Sequence, residues 1–533
     1  MQGLMMDMPL LISSLIRHAE RHHGATEIVS KTVEGAIHRY TYREAHARAR
    51  RLANALGKMG VKASDRVATL AWNGHRHFEI YYAAAGSGAV IHTINPRLFP
   101  DQITYIANHA EDRVVFYDTT FAPLVEKLKP AVESVRHWVS LDQSYEALLE
   151  KESDDYDWPS FDERQAACLC YTSGTTGNPK GALYSHRSTI IHAYASALPD
   201  AINISARDVI LPVVPMFHVN AWGLPYACAM VGAKLVFPAQ HLDGKSLHQL
   251  FEAEQVTMSA GVPTVWLGLL NYMKEQKLAF STLKRVVIGG SACPPAMIRA
   301  FQEEYGVQVL HAWGMTEMSP LGTVTTFKAK HLKLSEEERL RLQNKQGRAL
   351  YGVDMRIVGE DGEALPWDGK AFGDLQVRGP WVIESYFKGE GGDPLRKDRD
   401  GTSWFPTGDV CTIDPDGFIQ ITDRSKDVIK SGGEWISSID LENIAVAHPA
   451  IAEAAVIGVK HPKWDERPIV VAVKKPGKDV SKDELLKFYE GKIAKWWMPE
   501  DVVFVPELPH TATGKLSKLT LRQRMKDYKL ASG

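Results

Sequence analysis

The chain has 533 residues, of which 44% are apolar, and 62 Lys and Arg against 64 Asp and Glu give a formal charge of −2. This length predicts about three or four structural units, and 13 Trp, 18 Tyr and 17 Phe supply far more buriable surface than a disordered polymer carries. The balance of charge excludes a nucleic-acid binder that depends on a basic surface.

The beginning of the chain predicts a helix and no export signal. Residues 1–16 contain an apolar stretch but lack the basic flank and the small-residue cleavage site of a signal peptide. Prolines and polar residues interrupt the most apolar internal stretch, 209–239, which therefore cannot cross a bilayer as one helix. The five cysteines have neither redox nor zinc spacing, so we expect a cytoplasmic protein without an integral membrane segment. One face of the first helix should consist of Leu10, Leu11, Leu15, Ile16 and Ala19.

Short β-rich runs alternate with helical runs up to about residue 420. Strands that alternate with helices imply parallel sheets with helices on their faces, and the length predicts more than one sheet. From 352 to 422 the β runs are bounded by Asp-Gly, Asp-Pro and Gly-Pro turns, which indicates an antiparallel subdomain. The β-rich runs of the first part are 66–71, 89–94, 166–171, 234–237 and 285–288.

A smaller domain is predicted after residue 423. Strands at 453–459 and 468–473 and a helix over 482–496 suit a small α+β unit. The fold class is therefore α/β: a large N-terminal domain of layered α/β sheets with a small antiparallel subdomain, followed by a small, mobile α+β C-terminal domain. We place the N-terminal domain at 1–423, a hinge at 424–430 and the C-terminal domain at 431–533.

A glycine-rich loop at 171–181, Tyr-Thr-Ser-Gly-Thr-Thr-Gly-Asn-Pro-Lys-Gly, lies between two predicted strands. Its glycines let backbone N–H groups face an anion, its hydroxyls add donors and its lysine adds positive charge. The pattern predicts a phosphate cradle, although a ligand-free hairpin is the alternative. It is not a Walker A loop, because Pro179 precedes Lys180 and Gly181 follows it.

Further motifs follow the loop in a fixed order, and together they resemble the adenylate-forming superfamily of acyl-CoA synthetases, luciferases and peptide-synthetase adenylation domains. The likeness covers nearly the whole chain. Residues 217–223 and 429–438 are similar to bacterial medium- and long-chain fatty acyl-CoA ligases, with methylmercaptopropionate-CoA ligases as close neighbours. The further motifs are Pro-Met-Phe-His-Val at 215–219, Gly-Gly-Ser-Ala at 289–292, Ala-Trp-Gly-Met-Thr-Glu at 312–317, Thr-Gly-Asp at 407–409, Asp-Arg-Ser-Lys-Asp at 423–427 and Thr-Gly-Lys at 513–515.

The resemblance implies an ATP-dependent acid:CoA ligase that converts a medium- to long-chain aliphatic carboxylate into acyl-CoA through an acyl-adenylate, with release of AMP and pyrophosphate. ATP, coenzyme A and a small-molecule carboxylate would be its substrates and Mg²⁺ its metal, and a homodimer is left open. A methylmercaptopropionate-CoA ligase or another short-chain acyl-CoA ligase is the alternative. A carrier-protein-loading adenylation domain, an oxidative enzyme of the luciferase kind and a nucleotide sensor are further alternatives.

The resemblance also assigns residues to the nucleotide and CoA. The Trp313 ring would face the purine, the Asp409 carboxylate would accept both ribose hydroxyls, and Gly432 and Gly433 would admit the pantetheine arm. The residues assigned to cofactor binding are Thr172, Ser173, Gly174, Thr175, Thr176, Gly177, Lys180, Gly290, His311, Ala312, Trp313, Asp409, Arg424, Lys426, Lys430, Gly432, Gly433 and Trp435.

Four residues are assigned to catalysis by the same likeness. Lys515 would be the cation of adenylation, Thr316 would contact the α-phosphate and Glu317 would hold Mg²⁺ together with the Thr175 hydroxyl. His218 would lie beside the acyl carboxylate. The alternatives are a solvated tail lysine for Lys515, a solvated charge at a helix start for Glu317 and a buried core histidine for His218.

The acyl substrate is assigned to His218, Trp222 and Gly290, with Trp222 as the gate of an acyl tunnel. The four-residue separation would place His218 and Trp222 on one helix face if that segment is helical. The depth of the pocket depends on three-dimensional packing, so the sequence leaves the chain length of the acid open.

Overall fold

The computed structural model describes residues 1, 3–172, 178–425, 427–431, 434–510, 516–526, 528 and 530, with the backbone alone at Lys430, Glu434 and Trp435. Within these ranges, no helix combines the length and the apolar character that crossing a membrane requires.

The strands form four sheets. In chain order they are β1 Glu27–Lys31, β2 Ile37–Thr41, β3 Arg66–Leu70, β4 Val90–Thr93, β5 Asp112–Tyr117, β6 His137–Ser140, β7 Ala166–Tyr171, β8 Gly181–Ser185, β9 Val209–Pro212, β10 Lys234–Phe237, β11 Met258–Gly261, β12 Arg285–Ile288, β13 Gln308–Gly314, β14 Leu321–Val324, β15 Arg348–Ala349, β16 Asp354–Val358, β17 Gly373–Arg378, β18 Arg396–Lys397, β19 Ser403–Ile413, β20 Ile419–Arg424, β21 Ile429–Ser431, β22 Glu434–Ile436, β23 Ile451–His461, β24 Asp465–Lys474 and β25 Asp501–Phe504.

Helices connect most of the strands of the two large sheets. In chain order they are α1 Ile12–His23, α2 Tyr42–Lys58, α3 His75–Gly86, α4 Pro100–Ala110, α5 Ala122–Leu128, α6 Tyr145–Leu149, α7 His186–Ala197, α8 Val219–Trp222, α9 Leu224–Val231, α10 Gly244–Glu254, α11 Pro263–Gln276, α12 Pro295–Arg299, α13 Glu336–Asn344, α14 Ser438–Val446, α15 Lys482–Tyr489 and α16 Lys518–Arg524.

Two large sheets form the N-terminal part, as predicted. The nine-stranded sheet has the order β15-β14-β13-β12-β11-β9-β10-β1-β2, and the six-stranded sheet has the order β6-β5-β3-β4-β7-β8. Their interior strands pair in parallel, and antiparallel pairs occur at the edges: β1 with β2, β13 with β14, β14 with β15, and β7 with β8. Helix α3 contacts β4 of one sheet and β1 of the other, which explains why it is buried along almost its whole length.

The sequence located the strands of these sheets closely because apolar runs end at Gly or Pro. Strands β7, β10 and β12 have the predicted bounds, and β3 and β4 are slightly shorter than predicted. In α1, Leu15, Ile16 and Ala19 are buried as expected. Leu11 is the buried residue that precedes the helix, and Leu10 is half-buried.

The smaller sheets follow in the chain. The predicted antiparallel subdomain is the sheet β16-β17-β19-β18, to which β20 adds on β19. The chain leaves this sheet at Arg424 and enters the last sheet, β22-β21-β24-β23 with β25 on β24, at Ile429. The helix predicted over 482–496 is wrong in its second half, because α15 ends at Tyr489 and Gly491 has a φ of +74°, outside the helical region.

Candidate active site

The predicted site residues gather where neighbouring parallel strands end. Strands β11, β12 and β13 run in parallel, so their carboxyl ends meet at one edge of the nine-stranded sheet. Gly289 and Gly290 follow β12, and Trp313 lies near the end of β13. A 3₁₀ turn at Thr316–Met318 comes next and contains the buried Glu317. One sheet edge therefore carries residues assigned to the nucleotide, the metal and the acyl group.

The glycine-rich loop is closed at its base by Thr172 and Lys180. The Thr172 N–H donates to the Lys180 carbonyl at 2.9 Å, and the Lys180 N–H donates to the Thr172 hydroxyl oxygen at 3.0 Å. Both residues lie at the junction of the antiparallel pair β7 and β8. The other predicted loop residues, Ser173, Gly174, Thr175, Thr176 and Gly177, lie outside the described residues.

Lys180, Tyr386 and Glu317 form a chain of contacts beside this loop. The Lys180 Nζ lies 4.9 Å from the centre of the Tyr386 ring, and the Tyr386 hydroxyl donates to Glu317 Oε1 at 2.8 Å. Burial, with the charge of Glu317 adding to it, raises the pKa of Tyr386, so this hydroxyl stays a donor. Glu317 is 8% exposed, so the alternative of a solvated charge is wrong. A buried carboxylate of this kind suits a hard cation.

Trp313, Asp409 and Arg424 form a second cluster. The Trp313 Nε1 donates to Asp409 Oδ2 at 2.9 Å, and the Arg424 Nε lies 3.0 Å from Asp409 Oδ1. Asp409 is buried, whereas Arg424 is exposed. Each carboxylate oxygen has two lone pairs, so each oxygen of Asp409 can accept more than one hydrogen bond. The structure thus brings together the residues assigned to the adenosine.

We expect Asp409→Asn to raise the KM for ATP at least about tenfold, since a hydrogen bond to a charged group contributes about 1.5–3 kcal/mol. The amide would also present an N–H group to either Trp313 or Arg424, both of which are donors. Steady-state kinetics with varied ATP measure the effect. Asp354→Asn is the matched control, because Asp354 belongs to an exposed ion pair with Arg378 in the same subdomain. Similar ATP kinetics in both variants would contradict the assignment.

The His311 side chain points into the protein interior. Its Nδ1 donates to the Gln343 carbonyl at 3.1 Å and its Nε2 accepts from the Cys293 N–H at 3.3 Å. Burial lowers the pKa of His311 to about 4, so the ring is neutral at pH 7. Both ring nitrogens are therefore paired, and the His311 carbonyl accepts from the Thr325 N–H at 2.8 Å, so the adenine-site role assigned to His311 stays a prediction. The Thr316 carbonyl is likewise occupied, because it accepts from the Tyr184 hydroxyl.

The Trp222 ring lies against the glycines that follow β12. A methyl group at Gly289 would be 3.2 Å from the Trp222 ring and 2.9 Å from the Ala312 carbonyl oxygen. Gly290 has a φ of +80°, which favours glycine, and a methyl group there would be 4.0 Å from the Trp222 ring. Trp222 and Gly290, both assigned to the acyl substrate, are therefore neighbours.

The predicted shared helix face of His218 and Trp222 is wrong. Residues Val219, Asn220, Ala221 and Trp222 have φ values of +46°, +54°, +49° and +58°, so α8 is one left-handed turn. His218 precedes the turn in an extended conformation and is half-buried, which also contradicts the alternative of a fully buried core histidine. The reason for the turn is tertiary, because the Asn220 side chain bonds to Cys168 and Cys170 in β7.

Several predicted residues are not described with side chains. Lys426, Gly432, Gly433 and Lys515 lie outside the described residues. Lys430 and Trp435 face each other as backbone partners in the hairpin of β21 and β22. The roles assigned to these residues stay predictions.

Sequence reasoning missed Tyr386 and Tyr184. Tyr386 links Lys180 to Glu317, and Tyr184 donates to the Thr316 carbonyl. The signal for Tyr184 was its place in β8, directly after the glycine-rich loop. Tyr386 lies in a connection before β18 with no periodic pattern, so nothing local pointed to it.

Comparison with known proteins agrees with this geometry. The family profile described as AMP-binding enzyme matches residues 15–387, and the profile of the AMP-binding enzyme C-terminal domain matches residues 440–515. A 3-methylmercaptopropionyl-CoA ligase of Ruegeria lacuscaerulensis is 56% identical, over 99% of both chains. A medium-chain-fatty-acid–CoA ligase of Ectopseudomonas oleovorans is 52% identical, over 100% of this chain and 99% of its own.

A solved structure shares the fold over nearly the whole length. The crystal structure of ATP-bound MatB from Rhodopseudomonas palustris superposes with a TM-score of 0.82 at 26% identity, over 97% of this chain and 100% of its own. The fold of that protein is thus matched along nearly the whole of this chain.

Proposed function

The chain belongs to the AMP-binding enzymes and is an AMP-forming acid:CoA ligase, and we propose that its substrate is an unbranched aliphatic acid of medium to long chain. In the first half-reaction a carboxylate oxygen attacks the α-phosphorus of ATP, and pyrophosphate leaves with the electrons of the broken P–O bond. In the second, the sulfur of CoA attacks the acyl carbon, AMP leaves, and the thiol proton is lost.

Two anions approach each other in the first half-reaction, so the protein must supply positive charge and hydrogen-bond donors. A carboxylate and a phosphate that approach to ~4 Å repel by about 1 kcal/mol in water and by several in a drier site. Lys180, held at the base of the glycine-rich loop, offers positive charge to the phosphates. Asp409 accepts hydrogen bonds from the ribose hydroxyls, while Trp313 and Arg424 fix the orientation of the Asp409 carboxylate. Donors that are already oriented stabilise developing charge without reorganisation.

Mg²⁺ fits the oxygen donors beside the loop. Glu317 provides a buried carboxylate that Tyr386 orients by one hydrogen bond, and the Thr175 hydroxyl would be the second protein contact. Mg²⁺ usually takes one or two carboxylates together with phosphate oxygens and water, so one such residue suffices. When bound, the ion would neutralise part of the phosphate charge.

The observation that carries the substrate proposal is the position of Trp222. Its ring lies against Gly289 and Gly290, and Gly290 is assigned both to the nucleotide and to the acyl substrate. The turn around it is apolar and buried at Val219 and Ala221, and Leu224 follows. No acidic residue occurs in 218–222 to pair with an α-ammonium group, which favours an aliphatic acid over an amino acid. The 52% identical relative is named for medium-chain fatty acids.

A second candidate substrate is favoured by a specific observation, the 56% identity to a relative named for 3-methylmercaptopropionate.

A pyrophosphate-release screen decides between the aliphatic acid and the thioether acid. The panel is butyrate, octanoate, palmitate, 3-methylmercaptopropionate and amino acids, each with and without CoA. We expect octanoate or a longer acid to have the highest kcat/KM and thioester to form only with CoA. A clear preference for 3-methylmercaptopropionate would transfer the assignment to the thioether acid, and a preference for amino acids would refute both.

We expect Trp222→Ala to shift the chain-length selectivity towards longer acids and to leave the KM for ATP nearly unchanged, because Trp222 is assigned to the acyl substrate and not to the nucleotide. The measurement is kcat/KM for butyrate, octanoate and dodecanoate. Truncation of a buried Trp typically costs about 3–5 kcal/mol of stability, so the unfolding midpoint must be measured first. An equal loss of activity for all three acids in a folded variant would refute the gate.

The two half-reactions need different surfaces at one centre, so we propose that the C-terminal domain, 431–533, rotates about the hinge at 424–430 relative to the N-terminal domain, 1–423. Lys426 would lie at the pivot and Gly432 and Gly433 would admit the pantetheine arm. The described residues around the pivot turn sharply, with the Asp427 and Val428 N–H groups donating to the Arg424 carbonyl at 2.8 and 3.0 Å.

Lys426→Pro is expected to slow thioester formation more than adenylate formation, because proline fixes φ and also restricts the residue before it. Pyrophosphate release measures the first half-reaction, and conversion of preformed acyl-adenylate with CoA measures the second. Lys426→Ala is the control, since it removes the charge and keeps the backbone freedom. Equal slowing of both half-reactions by proline would contradict the pivot.

A further inference from the structure

A buried polar cluster lies behind the left-handed turn of α8, and Asn220 is its centre. Asn220 is 3% exposed. The Cys170 thiol donates to Asn220 Oδ1 across 2.9 Å, and Asn220 Nδ2 lies 3.3 Å from the Cys168 sulfur and 3.4 Å from the Tyr226 hydroxyl oxygen. The Cys168 sulfur and the Tyr226 hydroxyl are themselves 3.0 Å apart. Every polar atom of the Asn220 side chain therefore has a partner in the interior.

The backbone of this turn is unfavourable for the residues it contains. Four consecutive residues other than glycine have positive φ, which brings each Cβ close to the following carbonyl oxygen. Valine is especially poorly suited to this region and asparagine is better suited than the others. Such a conformation persists only where the surrounding structure holds it in place. The side-chain bonds of Asn220 tie the turn to β7, the strand that contains Cys168 and Cys170.

We infer that Asn220 is a positioning residue for Trp222, and that the cysteine pair Cys168 and Cys170 fixes the acyl selectivity through it. Trp222 is the last residue of the turn that Asn220 anchors, and Gly223, with a φ of +77°, follows immediately. A turn released from β7 would let the indole move away from Gly289. The inference rests on the acyl-side role proposed for Trp222.

Asn220→Gly is the first test, because glycine adopts positive φ freely and so removes the anchor without forbidding the turn. We expect the ratio of kcat/KM for dodecanoate to that for butyrate to rise at least about fivefold, the effect of one net hydrogen bond in a buried site. The KM for ATP should change less than about twofold. A folded Asn220→Gly enzyme with the wild-type ratio would overturn the inference.

The thiol of Cys170 provides a matched pair of variants. Cys170→Ser keeps a donor towards Asn220 Oδ1 and should keep the wild-type selectivity, whereas Cys170→Ala removes the donor and should raise the ratio. A purely structural role predicts no such rescue by serine. Cys411→Ala, which removes a buried thiol from another sheet, is the control and should keep the wild-type ratio. Equal ratios in the serine and alanine variants of Cys170 would overturn the role of the thiol.

A double variant separates this inference from the proposed function. If Asn220 acts through Trp222, Asn220→Gly combined with Trp222→Ala should have the selectivity of Trp222→Ala alone. A shift in Trp222→Ala without a shift in Asn220→Gly would refute the positioning role and leave the gate intact. No shift in Trp222→Ala would refute the gate, and the positioning role with it.

Discussion

Replacement of Lys515 by alanine is expected to slow acyl-adenylate formation at least about 10²-fold, the scale observed when one preorganised electrostatic contact is removed. An ammonium between the attacking carboxylate and the α-phosphate would offset their repulsion, which increases as the new P–O bond forms. Thr513 and Gly514 precede the lysine in the sequence, and glycine gives the backbone freedom to present the side chain.

The second half-reaction should be spared in Lys515→Ala. If the C-terminal domain rotates between the steps, the lysine has left the site when CoA attacks. Conversion of preformed acyl-adenylate with CoA is therefore expected at nearly the wild-type rate. Lys526→Ala is the control, because Lys526 is an exposed lysine near the end of the chain and its loss should change neither step.

Two results would contradict this role of Lys515. Pyrophosphate release near the wild-type rate in the folded variant would show that the lysine is a solvated tail residue. Matching losses in both half-reactions would indicate a structural role.

The sequence predicted those parts of the fold whose causes are local. Strands β10 and β12 have the predicted bounds because an apolar run is interrupted on both sides within a few residues. The helix predicted over 482–496 was too long because an amphipathic pattern gives no clear end, and the positive φ of Gly491 is a property of the folded backbone. The sequence did not predict the left-handed turn of α8 either, because the residue that bonds to Asn220 is Cys170, 50 residues earlier in the chain.

The residues of the candidate site also fall into two groups, those that the sequence could predict and those that only the folded structure revealed. Thr172, Lys180, Glu317, Trp313 and Asp409 could be named because each belongs to a short motif with a chemical reason for its residue types. The residue that joins two of them could not be named, because Tyr386 reaches Glu317 across 69 residues of sequence. Motifs therefore predicted the groups assigned to ligands, and the packed structure was needed to find the groups that orient them.

The contacts of Lys518 were likewise found only in the packed structure. Its Nζ lies 2.8 Å from Glu442 Oε1 and 3.7 Å from Asp423 Oδ1, and it donates to the Ser438 hydroxyl, which donates to Asp423 in turn. The Lys518 side chain is 11% exposed, the Glu442 side chain 17% and the Asp423 side chain 3%. Asp423 lies in β20 of the antiparallel subdomain, Ser438 and Glu442 lie in α14, and Lys518 begins α16, so this cluster joins β20 to the two helices.

Lys518→Met is expected to destabilise the packing of α14 and α16 by about 3–5 kcal/mol at pH 8, because it leaves one buried and one largely buried carboxylate without their cation. Hydrogen exchange in α14 of the full chain measures the loss as faster exchange. Lys482→Met is the matched control, since Lys482 is 53% exposed in its pair with Asp501 and such a pair contributes about 0–1 kcal/mol. Equal exchange in both variants would refute the stabilising role.

The loss in Lys518→Met should depend on pH in a defined direction. Burial raises the pKa of the Glu442 and Asp423 carboxyls, and the Lys518 ammonium opposes that rise. Without the ammonium, both folded-state pKa values increase further above their unfolded values of about 4. A carboxyl with a raised folded-state pKa destabilises the protein as pH rises above the unfolded pKa, and this destabilisation disappears as pH falls. The variant should therefore be closest to the wild type near pH 5 and differ most at pH 8, and a pH-independent difference would show that lost packing of the lysine side chain, rather than its charge, is responsible.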